Sequence, residues 1–289
     1  MKNQNMKLFI KYFALFFTVF TLLFFAVGLI TEGTSKNMTF LMMGIDSKSF
    51  AESKGVRSDT IMLFNVDRGT GEISILSIPR DTRTPIEGRK NKEKINHSFA
   101  YGGPELTVKT VENLLGIDID HYVVVDYQVV SEYVDLIGGV RFNVPMDMSY
   151  SDPVADPPLK IDLKAGEQIL DGDKALQYLR YRKGYKNADL GRIEAQQSFL
   201  KELIAQSAKP GIVLKIPGLY GIYNSGVNTD IPLTKLALYG ISIFKYDLSN
   251  LISETLPGSP KTIDGVSYYI HSEEKTAEII QSMIETNNQ

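Results

Sequence analysis

Short apolar runs alternate along the chain with longer segments in which apolar residues recur every three or four positions. The short runs have the length and composition of buried strands, and the longer segments have the periodicity of amphipathic helices. The predicted strands cover residues 39–44, 60–67, 72–78, 122–125 and 140–144. The predicted helices cover residues 104–115, 128–137, 171–182 and 190–208. Strands that alternate with helices indicate an α/β domain with a largely buried sheet.

Proline and glycine mark several ends of these segments. Pro104 stands at the first position of one predicted helix and Gly116 lies just beyond its end, as is typical of helix boundaries. Residues 68–71 predict a hairpin turn between the second and third strands, and residues 152–158 predict a loop. Because no repeat or linker divides the rest of the chain, we predict one domain over residues 36–289.

The first thirty residues differ from the rest of the chain. From Tyr12 to Ile30 there are nineteen uncharged residues, six of them Phe, and at 1.5 Å per residue they span about 28 Å, close to the hydrocarbon thickness of a bilayer. Three lysines precede the stretch. The positive-inside rule therefore predicts a cytoplasmic segment at residues 1–11, a transmembrane anchor at 12–30 and an extracellular domain after it. An extracellular domain without cysteine favours a bacterial cell membrane. A cleaved signal peptide is the alternative, but its apolar region usually covers only about 7–15 residues.

The composition removes several classes of functional site. A chain without cysteine has no disulfide scaffold, iron–sulfur cluster, cysteine zinc site or thiol nucleophile. Three histidines, far apart in the sequence, leave little material for a histidine metal site. The 43% hydrophobic content and the net charge of −3 exclude a fully disordered chain. A bound metal is therefore expected to be a hard cation held by carboxylates.

The charged residues are distributed unevenly. Without the three lysines of the N-terminal segment, the remainder has 28 basic and 34 acidic residues, which disfavours nucleic-acid binding because that depends on phosphate neutralisation. The last 97 residues contain no arginine. The arginines are Arg57, Arg68, Arg80, Arg83, Arg89, Arg141, Arg180, Arg182 and Arg192. Since guanidinium groups suit bidentate contacts with phosphate, this distribution indicates a localised anion site.

Two aspartates lie at the ends of predicted strands. Asp46 follows the first strand and Asp59 comes just before the second. If the two strands are neighbours, both carboxylates meet at one edge of the sheet. Mg²⁺ typically takes one or two protein carboxylates together with phosphate oxygens. The pair is therefore a candidate metal site, although each aspartate alone is more typical of a turn or cap.

Cationic and polar side chains also stand at the ends of other predicted elements. These candidates are Arg57, Arg80, Asp81, Arg83, Lys94, Arg180, Arg182, Asp189, Arg192 and Gln196. Arg192 and Gln196 are four residues apart and share one face of a predicted helix. For each residue taken alone, an exposed surface position is the more common explanation. In combination, in an otherwise acidic domain, they predict a site for a polyanion such as pyrophosphate.

The ordered motifs of residues 38–205 resemble the LytR–CpsA–Psr family. The matching motifs are Gly44-x-Asp46, Arg57-Ser58-Asp59-Thr60, Ile78-Pro79-Arg80-Asp81, Lys94-Ile95-Asn96, Gly102-Gly103, Asp135-x-Ile137-Gly138-Gly139-Val140, Asp171-Gly172-x-x-Ala175-Leu176-x-Tyr178-x-Arg180-x-Arg182, Asp189-x-Gly191-Arg192 and Gln196-Gln197. Lys48 and Ala195 stand where family members commonly have arginine. Residues 206–289 contain no matching motif, and a helix and strands are expected to continue there.

The resemblance implies a mixed, mostly buried central sheet sandwiched by helices, and a bacterial cell-wall phosphotransferase. Members of the family move a glycopolymer, such as teichoic acid or capsular polysaccharide, from a polyprenyl-pyrophosphate carrier to peptidoglycan. The product is a phosphodiester at the 6-hydroxyl of N-acetylmuramic acid. An apolar tunnel holds the polyprenyl chain, and the apolar residues of 129–137 and 190–204 are candidates for its wall. The implied partners are the lipid-linked glycopolymer, peptidoglycan and the membrane, and no nucleic acid.

The resemblance also implies roles for the candidate residues. Asp46 and Asp59 would hold Mg²⁺, or Mn²⁺ in its place. The pyrophosphate would be bound by Arg57, Arg80, Arg83, Lys94, Arg180, Arg182, Arg192 and Gln196. The catalytic residues would be Arg80, Asp81, Arg182, Asp189 and Arg192. Metal and arginines would neutralise the charge that develops during phosphoryl transfer. Asp189 would orient the arginines or serve as base, and the carboxylate that takes the proton of the acceptor hydroxyl would be Asp189, Asp81 or another.

Two other functions remain open at the level of the sequence. The first is a hydrolase that cleaves the polyprenyl pyrophosphate with water, since no motif distinguishes water from a sugar hydroxyl. The second is a membrane-anchored regulator, or a lipid-binding attenuator without catalysis. Direct contact with DNA has no physical basis. Only about eleven residues are expected on the cytoplasmic side of the membrane, and the extracellular domain is acidic. No motif identifies the glycopolymer.

Overall fold

The structure, a computed structural model, describes residues 37–46, 55–67, 70–153, 159–185, 189–207, 209–233, 235–236 and 251–285. The strands are β1 (Asn37–Ile45), β2 (Ser58–Asp67), β3 (Ile73–Ser77), β4 (Arg83–Thr84), β5 (Glu93–Lys94), β6 (His121–Asp126), β7 (Val140–Val144), β8 (Met148–Asp152), β9 (Leu159–Leu163), β10 (Gly166–Leu170), β11 (Asn228–Thr229), β12 (Ile252–Thr255), β13 (Gly258–Ile263) and β14 (Val266–His271). The α-helices are α1 (His97–Leu115), α2 (Tyr127–Ile137), α3 (Gly172–Arg180), α4 (Asp189–Ser207), α5 (Ile216–Gly226) and α6 (Glu273–Glu285). A 3₁₀ helix, Pro210–Lys215, precedes α5.

The central sheet has six strands in the order β11-β6-β1-β2-β3-β12. The strand β2 is antiparallel to both β1 and β3. In contrast, β6 is parallel to β1, and β12 is parallel to β3. Parallel neighbours require crossover connections, and the helices between these strands supply them. The sheet is therefore mixed, as the resemblance implied.

Alternate residues of the central strands face helices on opposite sides of the sheet, because side chains in a strand alternate between its two faces. Leu41 and Leu63 belong to a core that also contains residues of α1 and α6. Met62 and Phe64 belong to a core on the other face, against which Leu200 of α4 packs. Full burial of such side chains contributes about 1.5–3 kcal/mol each. The sheet is sandwiched by helices, which confirms the predicted fold class for the described domain.

A separate core lies beside the sheet, among α2, α3, α4 and two antiparallel strand pairs. The pairs are formed by β7 with β10 and by β8 with β9. The ring of Phe142 packs against Tyr178 and Phe199, with centroids 4.8 and 5.6 Å apart, in edge-to-face geometry. This core joins α3 to α4 and positions Arg180 at the end of α3 and Arg182 just after it.

One edge of the central sheet collects the ends of five strands. The strands β6, β1, β3 and β12 end at this edge, and antiparallel β2 begins there, with Ile45 of β1 paired to Ser58. Asp46 and Asp59 therefore lie at the same edge, which confirms that their strands are neighbours. Tyr127 after β6 and Arg80 after β3 reach this edge as well.

The helix α1 begins earlier than predicted and contains a break. It starts at His97, but Gly102 and Gly103 have non-helical backbone angles, with φ of +67° at Gly103. Only glycine adopts such a conformation without strain. The helix resumes at Pro104 and ends at Gly116 in a left-handed cap, so the predicted boundaries are those of its second, longer part.

Two further predictions concern segments at the limits of the described residues. The strand β8 continues to Asp152, so the loop predicted from residue 152 begins after it, and residues 154–158 lie outside the described part of the chain. The predicted anchor, residues 12–30, also lies outside the described residues. Within the described ranges, no helix combines the length and the apolar content that crossing a bilayer needs.

Candidate active site

Asp59 at the start of β2 binds two arginines that come from distant parts of the sequence. Its Oδ1 accepts a hydrogen bond from Nη1 of Arg80 at 2.5 Å, and its Oδ2 accepts one from Nη2 of Arg182 at 3.1 Å. The Asp59 side chain is only 19% exposed, whereas that of Arg182 is 52% exposed. Charge-assisted hydrogen bonds of this kind orient a guanidinium firmly. The single carboxylate of Asp59 therefore fixes the orientation of two guanidiniums, and with it the direction of their remaining N–H groups.

Asp46 forms the second, looser ion pair of the site. Its Oδ2 lies 3.7 Å from Nη2 of Arg180, and its side chain is 43% exposed. The guanidinium of Arg180 also lies over the ring of Tyr127, 4.9 Å from the centroid, in a cation–π contact. Asp46 thus keeps carboxylate oxygens open to solvent, whereas each oxygen of Asp59 at the same edge accepts one hydrogen bond from an arginine.

Tyr127 is a site residue that the sequence reasoning missed. Burial, and then the negative charges of Asp46 and Asp59, raise the pKa of its hydroxyl to about 12, so it is a neutral hydrogen-bond donor at physiological pH. The signal that could have identified it is its place directly after β6, because the ends of parallel neighbouring strands meet at one edge.

The helix α4 contributes Arg192 and Gln196 on one face, as their spacing predicted. Arg192 is 3% exposed, and it lines a small space together with Asp59, Arg80 and Gln196. The hydroxyl of Thr60 donates to Oε1 of Gln196 at 3.5 Å. These contacts bring the candidate residues of β2, β3 and α4 together on one side of the two aspartates.

Gln197, the next residue of α4, anchors the helix to the sheet. Its Nε2 lies 2.8 Å from Oγ of Ser77, 2.9 Å from the carbonyl oxygen of Glu254 and 3.2 Å from Oγ1 of Thr255. These acceptors belong to the ends of β3 and β12. Because α4 is held there, Arg192 and Gln196 face the aspartate edge.

An apolar cavity of about 380 Å³ opens beside this cluster. Asp59, Thr60 and Gln196 stand among its lining residues, which places its polar part at the arginine site. Its apolar wall includes Val129, Val130 and Tyr133 of α2 and Phe199, Leu200 and Leu203 of α4. Both segments were candidates for the wall of a lipid site. The helix α5 completes the wall with Leu219, Ile222 and Tyr223 and was not among those candidates.

A polar recess of about 280 Å³ lies on the other side of Asp46. Arg180, Arg182 and Lys183 line it together with Tyr127 and Tyr150. The recess and the apolar cavity share Tyr127. A ligand with an apolar tail and a charged polar head therefore finds both environments side by side.

The other predicted site residues have different partners. Asp81 and Lys94 form their own ion pair, with Nζ of Lys94 2.8 Å from Oδ1 of Asp81. The guanidinium of Arg83 lies 5.5 Å from the ring centroid of Tyr268. Arg57 is exposed to solvent. Among the contacts of the described residues, none joins Arg57, Arg83 or Lys94 to Asp46 or Asp59.

Asp189 is the first residue of α4, one helical turn before Arg192. Its side chain lies outside what the structure describes, so its predicted role stays a prediction.

The charge of the central cluster favours a polyanion. Arg80, Arg180, Arg182 and Arg192 outnumber the two aspartates, and several of these groups are half-buried or buried. In the described part of the chain, no group of three or more acidic or histidine side chains could hold a metal ion by itself. Two carboxylates nevertheless suit Mg²⁺ when phosphate oxygens and water complete its octahedral shell. The donor set therefore fits a metal that arrives with a phosphate ligand, and Asp46 has the more accessible oxygens.

Comparisons with known proteins agree with this fold and show the family. Residues 28–285 match the model of the LytR_cpsA_psr family. The chain is 33% identical over 242 residues to a protein of Halalkalibacterium halodurans named polyisoprenyl-teichoic acid–peptidoglycan teichoic acid transferase TagU, covering 83% of this chain and 76% of that protein. The crystal structure of TagV from B. subtilis superposes with a TM-score of 0.74 at 29% identity, covering 87% of this chain and 98% of that one. A structure described as TagT bound to LI-WTA superposes with a TM-score of 0.69 at 27% identity, covering 88% and 91%. The chain therefore belongs to the LytR–CpsA–Psr family.

Proposed function

We propose that this protein transfers a teichoic-acid-type glycopolymer from a polyprenyl-pyrophosphate carrier to peptidoglycan. The observation that carries the proposal is the apolar cavity whose polar part coincides with the arginine–aspartate cluster. A lipid diphosphate is the ligand class that needs both features at once. The relatives named as teichoic acid transferases support the same assignment.

The arginines supply the electrostatic part of the reaction. The acceptor hydroxyl oxygen attacks the phosphorus that carries the sugar, and the bridging P–O bond of the diphosphate breaks. Polyprenyl monophosphate leaves with the electron pair of that bond, and the sugar phosphate is left joined to the acceptor as a phosphodiester. Catalysis of such a step consists mainly of positioning and charge neutralisation. Arg80 and Arg182 are held for this purpose by Asp59, and Arg192 lies nearby in the small space beside them.

The proton of the acceptor hydroxyl needs a base within reach. Asp59 is a poor base because two guanidiniums bind its oxygens. Asp81 is occupied by Lys94. Asp46 is the residue that we propose for the metal. We therefore propose Asp189, which lies one helical turn before Arg192 at the start of α4, as the base.

Asp46 and Asp59 are the residues that would hold Mg²⁺ or Mn²⁺. When bound there, the metal would supply additional positive charge for the phosphate oxygens. The exposed carboxylate of Asp46, with its long 3.7 Å ion pair, supports this part of the proposal.

We further propose that residues 12–30 anchor the protein in the bacterial cell membrane with the domain outside the cell. The uncharged stretch and the preceding lysines support this placement. A lipid-linked donor remains in the membrane, so an anchored enzyme is confined to the same surface as its substrate.

The proposal is tested with a synthetic lipid-pyrophosphate sugar and a muropeptide acceptor. Arg182→Ala should lower kcat/KM by about 100-fold or more, because removing one donor to a developing oxyanion costs about that factor. Arg89→Ala is the matched control, since Arg89 pairs with Glu93 away from the aspartates, and it should leave turnover unchanged. Product analysis with and without the acceptor separates transfer from hydrolysis. Equal activity of Arg182→Ala and wild type would contradict the proposal.

A further inference from the structure

A second depression lies at the same sheet edge and is not part of the lipid-diphosphate site. It has a volume of about 610 Å³ and runs between the first half of α4, the end of β12, the β13–β14 hairpin and the first turn of α6. We call it the β12 groove. The residues of its wall on which the argument depends are Leu190, Glu194, Pro257, Ser259, Ile270 and Lys275.

The sheet topology places the β12 groove next to the arginines and opposite the lipid cavity. At the edge of the central sheet where Asp46 and Asp59 lie, the strands follow in the order β6, β1, β2, β3 and β12. The apolar cavity uses the ends of β6, β1 and β2 with α2, α4 and α5, whereas the β12 groove begins beyond β3, whose end leads to Arg80. Asp59 therefore borders the cavity, and Arg80 lies between Asp59 and the groove in the strand order.

The helix α4 forms a wall that both regions share. Arg192 and Gln196 face the arginine cluster, while Leu190 and Glu194 face the β12 groove. At 100° per residue, positions 190 and 194 point about 160° away from position 192. A ligand in the groove thus approaches the cluster from the flank of α4 that the lipid does not occupy.

A backbone hydrogen bond connects the wall of the groove to the segment that carries Arg80. The amide of Tyr269 donates to the carbonyl oxygen of Asp81 at 2.9 Å, directly after Arg80. The hydroxyl of Tyr269 donates to the carbonyl of Leu256 at 2.7 Å, and the amide of Ser272 donates to the carbonyl of Pro257 at 2.8 Å. These hydrogen bonds fix the position of the hairpin that forms one wall relative to the segment that carries Arg80.

The reaction geometry requires an acceptor on this side. In an in-line displacement, the attacking oxygen enters opposite the leaving oxygen. The leaving polyprenyl phosphate is held by the lipid cavity, so the acceptor hydroxyl must come from the opposite side of the cluster. Among the described residues, the β12 groove is a depression on that side.

The chemistry of the groove matches a glycan that carries peptides. Leu190, Pro257 and Ile270 offer apolar surface to the C–H faces of sugar rings. The exposed Lys275 offers a cation to carboxylates, and the exposed Glu194 offers an anion to amino groups. Peptidoglycan strands carry both kinds of charge on their stem peptides.

We propose that the β12 groove binds the peptidoglycan glycan strand and presents its hydroxyl to the arginine cluster. This inference rests on the proposed transferase function, of which it names the acceptor site. The donor and the acceptor then bind on opposite sides of α4. A substitution can therefore change the affinity for one of them without changing the affinity for the other.

The test measures binding of a fluorescently labelled, uncrosslinked glycan fragment with its stem peptides to the full chain in detergent. Ser259→Trp places a large ring in the groove, and Lys275→Glu reverses its cation. The matched controls are Thr262→Trp and Lys261→Glu, which lie exposed on the same hairpin outside the groove. We expect each groove variant to raise the Kd at least tenfold and each control to stay within twofold of wild type.

A second measurement separates this inference from the proposed function. Equilibrium binding of the lipid-pyrophosphate donor without acceptor reports the donor site alone, and the groove variants should bind the donor with the wild-type Kd. No transfer to the muropeptide acceptor by wild type would refute the proposed function, while the glycan-binding comparison would still decide the role of the groove. Equal Kd values for wild type and both groove variants would overturn the inference, as would the absence of binding to wild type.

Discussion

Filling the apolar cavity should shorten the lipid that the protein can use. Leu219 of α5 lines the cavity, and Leu219→Trp adds a bulky ring there. A cavity of about 380 Å³ holds roughly a dozen water-sized groups at about 30 Å³ each, or about two five-carbon isoprene units. At about 0.3 kcal/mol per atom for a drug-sized ligand, one displaced unit costs about 1.5 kcal/mol, which is about tenfold in affinity. At about 0.8 kcal/mol per buried methylene, the same unit would cost about 4 kcal/mol.

The assay compares kcat/KM for donors that differ only in the number of isoprene units. Wild type should gain at least tenfold from the second unit and little from later ones. Leu219→Trp should lose the gain from the second unit but turn over the one-unit donor normally. Leu214→Trp is the control, because Leu214 is 87% exposed on the neighbouring 3₁₀ helix. A folded Leu219→Trp protein with unchanged length dependence would refute the cavity as the lipid site.

Three further predictions follow from contacts of the described residues. Gln197→Met removes hydrogen bonds to three acceptors and should lower the free energy of unfolding by about 1–3 kcal/mol in urea titrations; a change below about 0.5 kcal/mol would contradict the anchoring role of this residue. Hydrogen bonds from His97 and then Tyr101 lower the pKa of Glu93 to about 2 from its ordinary value near 4.5. The stabilisation by its carboxylate is thus present above about pH 4.5 and is lost as the pH falls towards 2. Glu93→Gln should therefore destabilise the protein more at pH 7 than at pH 3, unlike the exposed control Glu87→Gln, and equal effects at both pH values would refute this linkage. Chelation with EDTA should lower transfer and added Mg²⁺ or Mn²⁺ should restore it, whereas full turnover in EDTA would remove the metal role of the aspartates.

The sequence was sufficient to predict that Asp46 and Asp59 lie at one edge of the sheet, because the two strands concerned are consecutive in the chain. Asp46 and Asp59 flank consecutive strands, and consecutive strands usually pair. Arg192 and Gln196 share a helical face at a spacing visible in the sequence. Their approach to Asp59 was an expectation from the combination of charges, which the structure supports for Arg80, Arg182 and Arg192.

Other features depend on contacts between distant segments. Tyr127 carries no charge, and only the parallel pairing of β6 with β1 brings it to the site. The helix α5 contains three glycines and a proline in eleven residues, so its intrinsic propensity is low and packing against α2 stabilises it. Arg83 was predicted at the pyrophosphate because it follows Arg80 closely, but the hairpin β13–β14 offers it the ring of Tyr268. That hairpin lies about 180 residues further along the chain, beyond the range of any local pattern.

The most direct test of the central claim is a structure of the protein with a lipid-pyrophosphate sugar bound. The account predicts that the diphosphate contacts Arg80, Arg182 and Arg192 beside Asp59. It also predicts that the lipid chain enters the cavity between α2, α4 and α5. A diphosphate bound away from these arginines, or a chain lying outside the cavity, would contradict it.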